Sequence, residues 1–282
     1  MPSRVAVVTD STAMLSAEVV RARDITVVPL QVVFGARSYD ETPDSDPGMV
    51  ADALRAREPV STSRPAPQVF VSIYEQLADE GVDSVVSVHL SAEISGTCES
   101  ARAAAAESPV PVEVVDSRQV GVGTGFAVLA AADAAAAGHD AATVAEAARR
   151  RATSTTSLFY VDTLEHLRRG GRIGAAAKLL GSVLAVKPLL RLDDGKVVPL
   201  EKVRTTSRAL SRLEDLAVEA AGDRAVDIAV AHLDNRQCAE TVAGHLRERV
   251  AGVHDVLVGE VGAVIGAHVG PGMLAVVVAP RL

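Results

Sequence analysis

The chain has 282 residues, 48% of them apolar, which excludes a disordered polymer and suffices for one large or two medium domains. Lysine and arginine number 28 against 36 aspartates and glutamates, a net charge of −8, so the broad positive field that non-specific nucleic-acid binding needs is missing. Trp is absent and aromatics make up 2%, which argues against stacking platforms for sugars or bases, and Cys98 and Cys238 stand apart with no CxxC or His-rich neighbour, which gives neither a disulfide framework nor a zinc site.

The first apolar run, Val5 to Val8, reaches Thr9-Asp10-Ser11-Thr12 at once. It is too short for a signal peptide and reads as a strand and polar loop leading to a helix over 14–22. No apolar stretch approaches the ~20 residues that span a bilayer, so the expectation is a cytoplasmic protein without membrane insertion. The strand–loop–helix phrase recurs at 85–88, 91–95 and 96–106. It recurs again at 112–115, at a turn over 116–118 where Asp116-Ser117 closes the strand, and at 121–137. Such alternation predicts a parallel sheet covered on both faces, with ligands beyond the carboxyl ends of its strands. All three of those ends carry Ser, Thr or Asp. The stretches 40–47 and 58–67, rich in Pro, Asp, Ser and Thr, read as long surface loops.

A polar run at 149–156 is the expected boundary between domains 1–155 and 156–282. Beyond it come a strand at 158–161, a helix over 163–169 ended by Gly170-Gly171, and a small-residue helix over 175–184. Strands 189–192 and 197–200 flank Asp193-Asp194-Gly195, a strong hairpin signal. A helix at 205–221, a strand at 226–232, a helix at 237–250 and strands at 256–258 and 274–278 complete an α+β domain with a mixed or antiparallel sheet.

Dinucleotide, P-loop, zincin and nucleophile-elbow signatures are all missing. What remains are small clusters of hydroxyls. Thr62-Ser63-Arg64-Pro65 reads equally as an N-cap for a helix starting near Ala66. In Ser91-Ala-Glu-Ile-Ser95-Gly96-Thr97, three hydroxyls and a glycine gather where a loop meets a helix N-terminus. Free N–H groups and hydroxyls there suit an anion, whereas capping alone would account for one of them. His268 sits between glycines in Gly266–Gly272, read as a loop, and a ligand contact is expected of it. Ser95, His268 and Asp10 or Asp116 could on paper form a hydrolase trio, but no nucleophile elbow supports one. The basic stretch Arg168-Arg169-Gly170-Gly171-Arg172, with Lys187, Arg191, Lys202, Arg204 and Arg208, suits a protein partner or a phosphate, or is simply a solvated face.

Taken in order, Thr9-Asp10-Ser11-Thr12, Thr62-Ser63-x-Pro65, Ser91 to Thr97, Asp116-Ser117, Leu167–Ile173, Lys187-Pro188, Lys202-x-Arg204 and Gly266-x-His268-x-Gly270-Pro271-Gly272 resemble the DegV family. Its bacterial members include the fatty-acid-binding FakB subunits. The resemblance runs from Val5 to about Val278. It implies an N-terminal parallel α/β domain and a C-terminal α/β domain with an acyl chain held between them. It also implies no catalytic residue, no cofactor beyond the bound fatty acid and no metal. Such a protein presents its fatty acid to a separate kinase, which uses ATP to form an acyl phosphate for phospholipid synthesis. On the matched motifs, Thr62, Ser95 and His268 would hold the carboxylate, and Ser63, Gly96 and Thr97 would line its site. Arg172 and Arg204 would lie at the kinase-docking surface or beside the headgroup exit. Arg64 stands where the family usually has Gln. Hydroxyls, amides and an imidazole can supply the donors that a desolvated carboxylate needs, and each buried methylene adds about 0.8 kcal/mol. The alternatives are a stand-alone Ser-dependent hydrolase of a small acidic ligand, and an acyl-chain sensor.

Overall fold

The computed structural model describes residues 4–42, 47–179 and 187–281. In chain order the strands are β1 (Val5–Asp10), β2 (Ile25–Val28), β3 (Gln31–Phe34), β4 (Arg37–Asp40), β5 (Val60–Ser63), β6 (Ser84–His89), β7 (Val112–Asp116), β8 (Thr156–Tyr160), β9 (Lys187–Asp193), β10 (Lys196–Val203), β11 (Val226–His232), β12 (Val253–Glu260) and β13 (Leu274–Pro280). The helices are α1 (Ala17–Ala22), α2 (Pro47–Arg55), α3 (Pro67–Asp79), α4 (Thr97–Ala105), α5 (Val122–Ala136), α6 (Ala141–Ser154), α7 (Glu165–Arg169), α8 (Thr206–Ala221), α9 (Arg236–Arg249) and α10 (Ala263–Val269). Among the described residues, no helix is long and apolar enough to cross a membrane.

The described residues form two compact units. The first takes 4–31, 39–42 and 62–153. Its sheet runs β2-β1-β6-β7, with every pair parallel. Every residue of β6 is buried, because both faces of the sheet are covered and neighbouring side chains point to opposite faces. On one face Val86, Val88 and Val115 pack against Ala127, Val128 and Ala131 of α5 and Val144 and Ala148 of α6. On the other, Val8, Val28 and Val85 meet Phe70 and Tyr74 of α3 and Ala101 of α4. β3, β4 and β5 pair among themselves in the order β4-β3-β5.

The second unit takes 32–38, 47–61, 154–179 and 187–281. Its mixed sheet runs β10-β9-β8-β13-β11-β12. β11 and β12 are parallel, and the other pairs are antiparallel. The β9–β10 hairpin turns through Asp194 (φ 49°) and Gly195 (φ 79°), the two positive angles a tight hairpin turn requires. α8 and α9 place Leu213, Ala217, Val242 and Leu246 against Tyr160, Leu189, Ile228 and Leu274 of the sheet.

Several local expectations change. The segment 14–22 is not one helix. The Asp10 carboxylate caps a 3₁₀ turn at Ser11–Ala13, Met14 takes φ 55°, and α1 starts afresh behind the Ser16 cap. The expected loop at 58–67 contains β5. The polar run at 149–156 is helical as far as Ser154, and Arg151 is buried with its guanidinium 5.4 Å from the Phe126 ring centre. The expected helix over 175–184 is a 3₁₀ segment at Gly174–Leu179, and residues 180–184 lie outside the described residues. The last stretch of the second unit begins at 154. That unit also takes in 32–38 and 47–61, far upstream of it.

Candidate functional site

In the first unit the polar residues gather at the carboxyl ends of β1, β6 and β7. Asp10 is fully buried. Its Oδ1 accepts from the Thr12 amide at 3.1 Å and the Thr12 hydroxyl at 2.5 Å, and its Oδ2 accepts from the Leu90 amide at 3.0 Å. The His89 Nδ1 lies 3.0 Å from the same oxygen. Behind it, His89 Nε2 is 2.7 Å from Ser87 Oγ, which accepts from the Tyr74 hydroxyl at 2.9 Å. With the Tyr74 proton on Ser87, the Ser87 proton goes to Nε2 and leaves Nδ1–H for Asp10. For a neutral ring this is the tautomer the network fits. Burial pushes the Tyr74 hydroxyl up to about 12 and the Cys98 thiol also to about 12, so both stay protonated and Cys98 is inert at neutral pH.

Next to this lies the Ser95 loop. The Ser95 and Thr97 hydroxyls are 2.9 Å apart at the start of α4, Ser95 half-buried and Thr97 fully buried. Arg64 crosses over Gly96. Its Nη1 donates to the Gly96 carbonyl at 3.1 Å and to Glu99 Oε2 at 2.5 Å, and a β-carbon at 96 would collide with the guanidinium. Arg64 therefore brings the Thr62-Ser63 end of β5 to the Ser95-Gly96-Thr97 loop. The cap reading of Thr62 and Ser63 is corrected: both lie in β5, Thr62 half-buried and Ser63 exposed. α3 begins at Pro67 behind Ala66, which makes no side-chain cap. Asp116 does more than close its strand, because Oδ1 also accepts from the Ala92 amide at 3.2 Å.

In the second unit, His268 lies on α10 and not in a loop. Its ring is half-buried and rests on Gly170, where a β-carbon would meet Nδ1. Reciprocally, a β-carbon at Gly270 would meet the ring of His166. Burial, and then the Arg172 cation, push His268 down to about 4, so the imidazole is neutral at neutral pH. Arg172 Nη1 donates to the Gly170 carbonyl at 2.6 Å, which fixes the arginine beside the His268 seat. Arg204 is exposed at the end of β10, in a shallow depression of about 500 Å³ that Glu201, Lys202, Arg208, Arg212 and Asp215 also line.

The paper trio of Ser95, His268 and Asp10 finds no support in the first unit, where Asp10 is engaged by Thr12, His89 and Leu90 and Ser95 by Thr97. Sequence reasoning missed Tyr74, Ser87 and His89. The signal was the Ser87-Val88-His89 alternation, which puts two polar side chains on one face of a strand. Among the described residues, no group of three or more His, Cys, Asp or Glu gathers to hold a metal.

Fold and site together define a class: a two-unit α/β protein with polar side chains gathered at the carboxyl ends of a parallel sheet and an imidazole carried on a short helix of a mixed-sheet unit. The chain belongs to the DegV family. The family described as "Uncharacterised protein, DegV family" matches residues 4–281. A DegV domain-containing protein of Streptomyces coelicolor is 53% identical over the whole of both chains, and one of Mycobacterium tuberculosis is 38% identical over 97% of this chain and 96% of its own. Among solved structures, a fatty-acid-binding DegV family protein of Thermus thermophilus superposes with a TM-score of 0.93 at 31% identity, covering 99% of this chain and 100% of its own. DegV of Bacillus subtilis, described as a fatty acid binding protein, gives 0.90 at 34% identity with the same coverage.

Proposed function

We propose that this chain binds a long-chain fatty acid and presents its carboxylate to a separate fatty acid kinase, as a carrier in the cytoplasm that makes no bond itself. The observation that carries the binding half is the near-complete likeness to DegV proteins whose descriptions name fatty acid binding. The chemistry of the two polar clusters supports it. Hydroxyls at Ser95 and Thr97, the amides that open α4, and a neutral His268 suit a carboxylate. Thr62, Ser63 and Gly96 complete that set in our reading. Arg172, fixed beside His268, is assigned to the headgroup side, and exposed Arg204 to the kinase-docking face. The acyl phosphate made by the kinase would feed phospholipid synthesis.

Native mass spectrometry of the purified chain, followed by lipid extraction, tests the first half. A stoichiometric fatty acid is expected. A protein that arrives empty and takes up neither oleate nor palmitate overturns the reading. The second half is tested with a purified bacterial fatty acid kinase and ATP. Arg204→Ala should keep its lipid and be phosphorylated slowly, and phosphorylation at the normal rate removes the docking assignment.

A further inference from the structure

Asp10 is the point where two loops of the first unit are tied together. Its four contacts come from Thr12, in the turn after β1, from His89, the last residue of β6, and from Leu90, which opens the loop after β6. The second loop hands this anchoring on. The Ser91 amide donates to the Gln119 carbonyl at 2.8 Å, the Ser95 amide to the Ser91 carbonyl at 3.0 Å, and the Cys98 thiol to the Leu90 carbonyl at 3.5 Å. A displacement at Leu90 therefore reaches Ser95 through one intervening residue pair. The His89 ring cannot turn freely. Ser87 and Asp10 hold its two nitrogens, and Phe70 packs edge-on against it at 5.2 Å and 83°.

A carboxylate and an imidazole in the core are poor choices for stability alone, because well-packed apolar residues of similar volume are often neutral or better. They are good choices where a position must be unique, because each bond has a required length and direction. We propose that Asp10 and His89 form a positioning pair that sets the Ser95-Gly96-Thr97 loop for the ligand's carboxylate, with Tyr74 and Ser87 fixing the imidazole. This rests on the fatty-acid reading above. Neither residue touches the ligand, and together they determine whether the Ser95 and Thr97 hydroxyls point where a carboxylate can use them.

The test compares oleate with methyl oleate on the full-length chain. The ester keeps the acyl tail and lacks the anionic head, so the ratio of the two affinities reports headgroup recognition apart from tail burial. Asp10→Asn and His89→Leu are expected to weaken oleate binding tenfold or more and to change methyl oleate less than twofold. His89→Asn, whose amide nitrogen falls near the place of Nδ1, should restore much of the selectivity. Thr12→Val removes a single hydroxyl and continues the test if the others fail to fold. Folded variants that keep the wild-type ratio overturn the inference, and so does an equal loss for both ligands, which is what a purely structural role would give. A wild-type chain that binds neither probe takes down the fatty-acid reading itself, an outcome distinct from both.

Discussion

The imidazole of His268 lies against the α-carbon of Gly170, so the glycine pair at the end of α7 is a seat for a side chain carried on α10. The backbone at Gly170 is ordinary, at φ −74°, and would accept alanine. Only the contact with His268 demands glycine there.

Gly170→Ala should therefore destabilise the protein by about 1–3 kcal/mol, the usual cost of overpacking. In a His268→Ala background the added methyl meets no ring, and most of that cost should vanish. Urea unfolding of the four proteins in this cycle measures the coupling. Equal costs in both backgrounds would mean that the ring does not rest where the structure puts it.

Ser95→Ala and His268→Ala should each weaken fatty acid binding about tenfold to a hundredfold. That is the range expected when one hydrogen bond to a charged group is lost, about 1.5–3 kcal/mol. Isothermal titration with oleate measures the loss, and thermal unfolding checks that the fold persists. Unchanged affinity in both folded variants would remove these residues from the headgroup site.

His268 titrates near 4 because burial, and to a lesser degree the Arg172 cation, disfavour its charged form. Unfolded, it would titrate near 6.5. The unfolded chain thus binds the proton first as pH falls, so the stability this residue contributes is present above about 6.5 and is lost on the way down to about 4. NMR of the imidazole Cε1–H should show a neutral ring at pH 5. In Arg172→Gln the midpoint should rise, though not to the ordinary value, because burial is the larger cause. A midpoint unmoved by that substitution would separate Arg172 from His268.

At the alkaline end the sign reverses. Tyr74 rises from 10.0 to about 12 and Cys98 from 9.0 to about 12 on folding. Each contribution is complete below the unfolded value and is lost as pH climbs toward 12, on the order of 2 kcal/mol for Tyr74. Tyr74→Phe should flatten the loss of stability between pH 10 and 12. It should also cost about 1 kcal/mol at neutral pH, through the hydrogen bond to Ser87. Urea unfolding across that pH range checks both.

Much of the fold is legible in the sequence where pattern and turn chemistry agree. Val226–His232 reads as a strand to the residue, and Asp194-Gly195 supplies the positive φ angles its hairpin uses. What stays hidden depends on tertiary packing. Gly266, Gly270, Pro271 and Gly272 make 266–272 look like a loop, yet Ala263–Val269 is helical. Gly266 fits close to Leu233 and Val50, where a β-carbon would lie 3.2 and 3.7 Å from their methyls, so packing outweighs propensity. β5 is four residues long and half exposed, too little signal to separate it from a loop or a cap. Ser95, Thr97 and His268 carry chemistry visible in their residue types. His89 does not, because it looks like the polar end of an apolar strand until Asp10 is found beside it.

The division of the chain between the two units limits how the gene can be cut. α2 lies in the N-terminal half of the sequence, yet its Val50 faces Gly266 of α10, and its Arg55 pairs with Asp234. A fragment ending at 155 would carry 32–38 and 47–61 away from the unit they complete, and the remainder would keep His268 on a helix stripped of its neighbour. Splitting this protein, or exchanging one half with a relative, must therefore follow a discontinuous pattern of segments in place of a single seam.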